Sequence, residues 1–437
     1  MTNRFKKLVL LLGDILCFVL AICITTFINK PTFEYNKLLE GHLIFTLFLT
    51  PIWVVIFFIE GLYSLRTFNR NGLIVSLLRS ISFSSIISII FLYLFGNKLG
   101  VSPKTNLIIF SFLTLVLTYI WRRVFFKIFT YKVFTRDVTF IGTTSEFNEI
   151  KENIEQRKHL GFKLKSEYDC FSKVIIYGAP QLVVVEDGLL KSAEVGFRLF
   201  ESLNKGASIL SLSEFSEIVL GKVPLNAIDH TWFIDSKISI NQGTYYYTKV
   251  VFDKIIAIFM AILALPILIL ITPILLITSG RPLIYSQKRV GEKNKNFTIY
   301  KLRTMTINAE KNGAQWAIQN DSRITPMGKF LRKTRIDELP QLWNVIIGNM
   351  SIVGPRPERP EIIEDRLKNV IPFYDYRHLV KPGITGWAQV NYGYGASEED
   401  SLEKLRYDLY YIKNKSHWLD VRIILKTIRI VLKKIGR

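Results

Sequence analysis

Two adjacent carboxylates, Asp337 and Glu338, stand among arginines in the run Arg332-Lys-Thr-Arg335-Ile-Asp337-Glu338-Leu-Pro-Gln-Leu-Trp-Asn344. A second arginine-bearing turn, Gly354-Pro355-Arg356-Pro357-Glu358, follows closely. Such a pair can cap a helix. Asp at an N-cap accepts backbone N–H groups, Glu favours the positive end of the helix dipole, and Pro340 is tolerated in a first turn. The same pair can divide two jobs at phosphorus: one carboxylate attacks, and the other holds a hard divalent cation such as Mg2+ through oxygen. Arg332, Arg335 and Arg356 could grip phosphoryl oxygens bidentately, and a helix N-terminus attracts phosphate. The spacing alone names no reaction, but the arginine context favours a charged, phosphate-bearing substrate over a cap.

The elements that must position this cluster start with membrane-grade sequence. The chain of 437 residues is 49% hydrophobic yet formally +21 at pH 7, a combination that fits a membrane protein with a large polar part. The basic excess suits anionic lipid or a phosphorylated substrate. No nucleic-acid-binding motif accompanies it, so nucleic acid is not an expected partner; a homo-oligomer is compatible with the sequence. Cys17 and Cys23 lie inside the first apolar segment, and three cysteines form no disulfide framework or CxxC pair, which fits a reducing compartment. The five histidines lack ligand spacing.

Four segments read as membrane spans: Leu8–Ile28, Leu43–Leu62, Leu77–Phe95 and Leu107–Trp121. The first three approach the roughly 20 residues a helix needs to cross hydrocarbon, and the fourth needs flanking residues. The first is too long for a secretory signal and lacks a small-residue cleavage site, so it reads as a retained helix. Arg4, Lys6 and Lys7 precede it, Arg66, Arg70 and Arg79 flank the second connection, and Arg122, Arg123, Lys127, Lys132 and Arg136 follow the fourth span. The other connections carry only Lys30, Lys37, Lys98 and Lys104, partly offset by Glu34 and Glu40. Both ends of this unit, residues 1–136, are therefore expected at the cytoplasmic face.

A fifth apolar segment, Val250–Ile277, holds Asp253 and Lys254 near its start and Pro266 and Pro273 inside it. Basic residues lie on both sides: Lys249 and Lys254, then Arg281, Lys288, Arg289, Lys293 and Lys295. A helix that enters one leaflet, bends at Pro266 and returns satisfies both clusters; an ordinary fifth span is the alternative. Between these membrane parts, residues 137–245 alternate apolar runs (Val138–Ile141, Val174–Tyr177, Leu182–Val185, Ser208–Leu212) with helical patterns (Glu146–Arg157, Ala193–Leu203), the pattern of a small parallel βαβ sheet. The first turn, Gly142-Thr-Thr-Ser-Glu-Phe, has one glycine where a dinucleotide fold places three, so a Rossmann-like domain with a degenerate nucleotide motif is expected.

Further motifs follow in order: Lys301-Leu-Arg303-Thr-Met, Asp337-Glu338-Leu-Pro-Gln-Leu, Gly354-Pro-Arg356-Pro, Lys381-Pro-Gly-Ile-Thr-Gly-Trp-Ala-Gln389-Val and Tyr407-Asp408-Leu-Tyr-Tyr-Ile. On these residues the stretch from Val250 to Lys434 resembles the bacterial polyprenyl-phosphate hexose-1-phosphate transferases of the monotopic phosphoglycosyl transferase superfamily. The whole chain resembles their long form, with four transmembrane helices and a Rossmann-like domain ahead of a mostly helical catalytic domain at 246–437. The resemblance implies transfer of a sugar-1-phosphate from a UDP-sugar to a polyprenyl phosphate such as undecaprenyl phosphate, with release of UMP, at the inner face of a bacterial cytoplasmic membrane. It implies Asp337 as the nucleophile that carries a phosphosugar, and Glu338, with Asp337, as a ligand of Mg2+. Arg332 and Arg356 would bind phosphates; Lys301, Arg303, Gln389 and Asp408 are candidates for the nucleotide or acceptor site.

The charges suit that role, because an aspartate attacking a pyrophosphate needs compensating cations. The tail from Asp420 to Lys434 sets Val421, Ile424, Leu425, Ile428 and Val431 on one helical face and Arg422, Lys426, Arg429 and Lys433 on another. That is the pattern of a helix lying at a membrane interface, with packing on the catalytic domain as the alternative.

Overall fold

The computed structural model describes residues 3–28, 48–64, 73–99, 103–129, 135–144, 146–169, 182–224, 228, 243–307, 309, 321–393, 395 and 397–432. The expected strand Val174–Tyr177 and the start of the second span lie outside them. The chain divides into two compact units, Met1–Leu220 and Gly221–Arg437.

The first unit opens with four helices: α1 (Asn3–Ile28), α2 (Phe48–Ile59), α3 (Leu73–Leu99) and α4 (Pro103–Phe129). By length and composition α1, α3 and α4 suffice to cross a membrane, and the described part of α2 is shorter. Their outward faces carry exposed Leu12, Leu16, Ile86, Ile90 and Phe112, a surface for lipid. Inward, Phe18 meets Trp53 and Phe57 edge-on, and a Cβ on Gly13 would collide with the Trp121 ring, so α1 and α4 approach closely there. Hydroxyls of Thr25, Ser80, Ser88 and Thr118 bond back to carbonyls one turn earlier, which satisfies them inside hydrocarbon. At the core Arg122 is fully buried. Its Nη2 donates to Asp14 Oδ2 at 2.5 Å and its Nη1 to the Leu62 carbonyl at 2.7 Å, with the Phe57 and Tyr63 rings beside it.

The rest of this unit is an all-parallel sheet in the order β2-β1-β3-β4, from β1 (Arg136–Ile141), β2 (Phe162–Tyr168), β3 (Leu182–Val185) and β4 (Ser208–Ser211). Central β3 is buried throughout, as its unbroken Leu-Val-Val-Val run requires. Helices α5 (Glu146–Gln156) and α7 (Leu212–Val219) pack Phe147, Ile150 and Phe215 with Phe140 of β1, and α6 (Ala193–Asn204) packs Leu199 with Ile141, Val183 and Val185. The turn after β1 is closed to phosphate. Glu186 Oε2 accepts the Thr143 N–H at 3.1 Å, and a Cβ on Gly142 (φ +136°) would lie 2.5 Å from that oxygen.

The second unit begins at Gly221, ahead of the boundary at residue 246 read from the sequence. The reason is a strap: Val223 exchanges backbone and guanidinium hydrogen bonds with Arg406, Lys222 pairs with Glu403, and Trp387 Nε1 donates to the Gly221 carbonyl at 2.8 Å. The long helix α8 (Gly243–Ser279) follows, then a hairpin of β5 (Ile284–Val290) and β6 (Asn296–Leu302). Next come α9 (Pro326–Thr334), a 3-10 turn at Ile336–Glu338, α10 (Gln341–Ile346), the parallel pair β7 (Ser351–Val353) and β8 (Gly383–Thr385), α11 (Glu398–Asn414) and α12 (His417–Leu432).

Helix α8 runs through Pro266 and Pro273 without a gap, about 55 Å at 1.5 Å per residue. Both its ends are bonded into the same unit. Tyr245 and Lys249 reach Asp420 Oδ2 at 2.9 Å each, and Ser351 Oγ donates to Asp253 at 2.6 Å. At the far end Arg303 donates to the carbonyls of Ser279 and Gly280, while Ile271 and Leu275 pack with Leu302 and Leu331. Between the anchors Phe259, Ile262, Leu263, Ile269 and Leu270 are exposed. Helix α12 packs on this unit: Leu419 and Ile423 enter the core and Arg422 and Lys426 stack over Trp387, while Trp418, Val421, Ile428 and Val431 are exposed.

Candidate functional site

Local sequence brings the two carboxylates to a helix start. Thr325 caps α9 by accepting the Gly328 N–H at 3.0 Å, and Pro326 takes the first helical position, where no N–H is needed. Arg335 ends α9 in the left-handed region (φ +61°), and the chain turns there into Ile336–Glu338 and α10. Asn344, fully buried on α10, ties this helix to β6: its Nδ2 donates to the Thr298 carbonyl at 2.7 Å and its Oδ1 accepts the Tyr300 N–H at 3.2 Å. Lys301 is thereby held beside the carboxylates.

The two acids have different surroundings although both are more than nine-tenths buried. Glu338 Oε1 accepts from Arg356 Nη2 at 2.7 Å, with Arg335 Nη1 at 3.4 Å and Lys301 Nζ at 3.7 Å. Burial alone would raise its pKa, but Arg356, Lys301 and Arg335 outweigh burial and hold Glu338 well below the usual carboxylate range. Asp337 makes no hydrogen bond or ion pair among the described residues, and its Oδ1 is buried without a donor. Burial, then the neighbouring Glu338 charge, push its carboxyl up to about 6 against the opposing pull of Lys301, Arg332 and Arg335. Burial and the Arg356 charge bring Lys301 down to about 8. Arg332 donates from Nε to Thr304 Oγ1 at 2.8 Å.

Arg356 is itself supported. Its carbonyl accepts Arg377 Nη2 at 2.9 Å, and Arg377 in turn bonds Asp408 Oδ2 at 2.8 Å. Arg289 of β5 grips the same turn through the Pro357 carbonyl at 3.2 Å and Glu358 Oε1 at 3.3 Å. The structure thus gathers Asp337, Glu338, Lys301, Arg332 and Arg356 and leaves three candidates outside the group. Arg303 is buried and its Nη2 donates to the C-terminal carbonyls of α8, while its Nε and Nη1 have no hydrogen-bond partner among the described residues. Asp408 is 1% exposed and engaged by Arg377, so it supports Arg356 from behind rather than meeting a ligand. Gln389 donates to the Ile384 carbonyl at 3.3 Å in the segment after β8. Asn344, Arg377 and Arg289 were not singled out as site residues from the sequence. A polar Asn beside the apolar Leu342 and Val345 is the sequence signal for the first; Arg289 shows in the sequence only as part of the basic flank of the apolar segment, and Arg377 carries no signal there.

The donor set fits Mg2+ of the kind that keeps its waters and takes one or two carboxylates plus substrate phosphates. The unpartnered buried oxygen of Asp337 is the atom such an ion, or a phosphorus centre, would use. Among the described residues no group of three or more His, Cys, Asp or Glu is arranged as a closed metal cage.

The pattern of the family described as bacterial sugar transferase matches residues 244–434, the stretch that carries this cluster. The chain is 42% identical over 228 residues to a UDP-N-acetylgalactosamine-undecaprenyl-phosphate N-acetylgalactosaminephosphotransferase of Aeromonas hydrophila, covering 52% of this chain and 53% of that protein. It is 44% identical over 156 residues to a UDP-glucose:undecaprenyl-phosphate glucose-1-phosphate transferase of Escherichia coli (strain K12), covering 35% and 33%. Against the uncharacterized sugar transferase EpsL of Bacillus subtilis (strain 168) the identity is 38% over 188 residues, covering 42% of this chain and 87% of that protein. The chain thus spans about half the length of the Aeromonas relative and a third of the Escherichia one.

Proposed function

The chain belongs to the bacterial sugar transferase family, and from that premise we propose that it transfers a sugar-1-phosphate from a UDP-sugar to undecaprenyl phosphate, with Asp337 as the covalent carrier. The names of the relatives support the donor and acceptor classes. The observation that carries the assignment of roles is the contrast within the pair: Glu338 is held by three cations, and Asp337 Oδ1 is buried with no donor among the described residues.

In the first step an Asp337 oxygen attacks the phosphorus that bears the sugar. The bond from that phosphorus to the bridging oxygen breaks, and the oxygen leaves with its electron pair as part of UMP. In the second step a phosphate oxygen of the lipid attacks the same phosphorus and frees the carboxylate, leaving a lipid-linked pyrophosphoryl sugar. Arg356, Arg332 and Lys301 offset the charge of the phosphates, and Glu338 fixes the first and third of these in place. Bound Mg2+, held by Asp337 and Glu338, would supply further charge neutralisation at the pyrophosphate.

The acceptor's phosphate lies at headgroup depth, and α8 supports a matching geometry. Its two ends are bonded to one compact unit, and a helix that enters and leaves by one leaflet keeps both sets of anchors and both basic flanks on one side. With the basic flanks, this reading puts the catalytic unit on the cytoplasmic side, where nucleotide sugars are made. The deciding experiment incubates purified protein with undecaprenyl phosphate and a panel of labelled UDP-sugars. UMP is the expected nucleotide product; release of UDP instead would mean sugar transfer by cleavage at the sugar carbon and would refute the reading.

A further inference from the structure

Gln341 opens α10 and is 2% exposed. Leu339 (φ −55°, ψ −36°) and Pro340 (φ −62°, ψ −17°) keep right-handed helical backbone, so residues 337 to 346 wind almost continuously. Gln341 lies three residues after Glu338 and four after Asp337, on the same face as both. Helical side chains lean back toward the N-terminus, which carries the Gln341 amide toward the carboxylates. Yet its Nε2 is buried without a hydrogen-bond partner among the described residues, and so is Asp337 Oδ1. A donor and an acceptor buried one turn apart would bond each other if the site served stability alone, because each orphan group is costly. They do not. Arg356, Arg335 and Lys301 are directed at Glu338 Oε1.

Resting on the transfer reaction above, we propose that Gln341 is a phosphosugar-binding residue whose amide N–H donates to a non-bridging oxygen of the phosphoryl group that Asp337 captures. A neutral donor fits this position. It adds direction without lowering the nucleophilicity of Asp337, as another cation beside it would. Two orphan atoms of opposite hydrogen-bonding sense on one face are then the two contacts of one ligand group, the nucleophile's oxygen meeting phosphorus and the amide meeting a phosphoryl oxygen.

The test is Gln341→Met, with Gln341→Leu as a second variant, in the full-length protein with the UDP-sugar that the wild type turns over. UMP release, the phosphosugar adduct by intact mass, and thermal unfolding are read on the same preparations. Loss of one preorganised donor should lower kcat/KM by about 10²-fold and slow adduct formation in proportion. The unfolding temperature of the free protein should hold or rise, since an orphan amide gives way to an apolar side chain. Turnover within about twofold of wild type overturns the role, and so does a loss accompanied by a lower unfolding temperature or by failure of both variants to fold. A wild type that forms no UMP from any UDP-sugar refutes the transfer reaction and this role with it, whereas an active wild type beside an equally active variant refutes the role alone.

Discussion

At the scale of single residues, one carboxylate is kept costly. Asp337 stays buried with no hydrogen-bond partner among the described residues, and ionising it there works against burial and the adjacent Glu338 charge. Asp337→Asn should therefore abolish UMP release, by at least about 10³-fold. It should also stabilise the free protein. A folded-state pKa above the ordinary 3.8 means the acid's ionisation is disfavoured in the folded chain, so the advantage of Asn grows as pH rises through about 6, to at most roughly 3 kcal/mol. Chemical unfolding at pH 5 and pH 8 measures it. The wild-type rate should follow a bell: kcat/KM climbs through pH 6 as Asp337 ionises and declines above pH 8 as Lys301 loses its proton. A flat profile across both limits would contradict these assignments. The carboxylate pair and its arginines were legible in the sequence because charge clustering is local. Which acid is free was not, since Arg356 lies eighteen residues beyond Glu338 and reaches it only through the β7–β8 fold.

At the scale of elements, a charged residue in a motif reads the same whether it meets a ligand or another part of the chain. Arg303 stands two residues from Lys301, yet its partners are carbonyls at the end of α8. Arg303→Met removes the Nη2 bonds to α8 together with two buried guanidinium nitrogens that have no partner among the described residues, so it should destabilise the protein by only about 1–2 kcal/mol, with turnover per folded molecule largely kept. Arg356→Met should do the reverse. Measuring unfolding and UMP release on both variants separates an element anchor from a phosphate ligand. Regular elements were more legible. Hydropathy located α1, α3, α4 and α8, and the apolar runs marked β1, β3 and β4. Edge strand β2 escaped, although Phe162, Leu164, Ser166 and Tyr168 alternate outwardly with charges in the way of a half-covered strand.

At the scale of the molecule, the membrane unit holds its helices together with a charge pair that lipid makes expensive to break. Removing either partner of Asp14–Arg122 leaves a lone buried charge, so Asp14→Leu or Arg122→Leu alone should cost about 3–5 kcal/mol. The double variant should recover most of that, as a double-mutant cycle in detergent would report; additive losses would deny the coupling. The sequence showed the span count and the charge asymmetry but not this pair, whose members lie 108 residues apart.

The Glu186 carboxylate seated on the Thr143 amide also decides what the α/β domain can report to the cell. The backbone turn after β1, where a pyrophosphate would sit, is taken by an acid of the same chain, so NAD or NADP has no grip at that turn. The purified protein should show no nicotinamide absorbance and no protection from heat by either coenzyme.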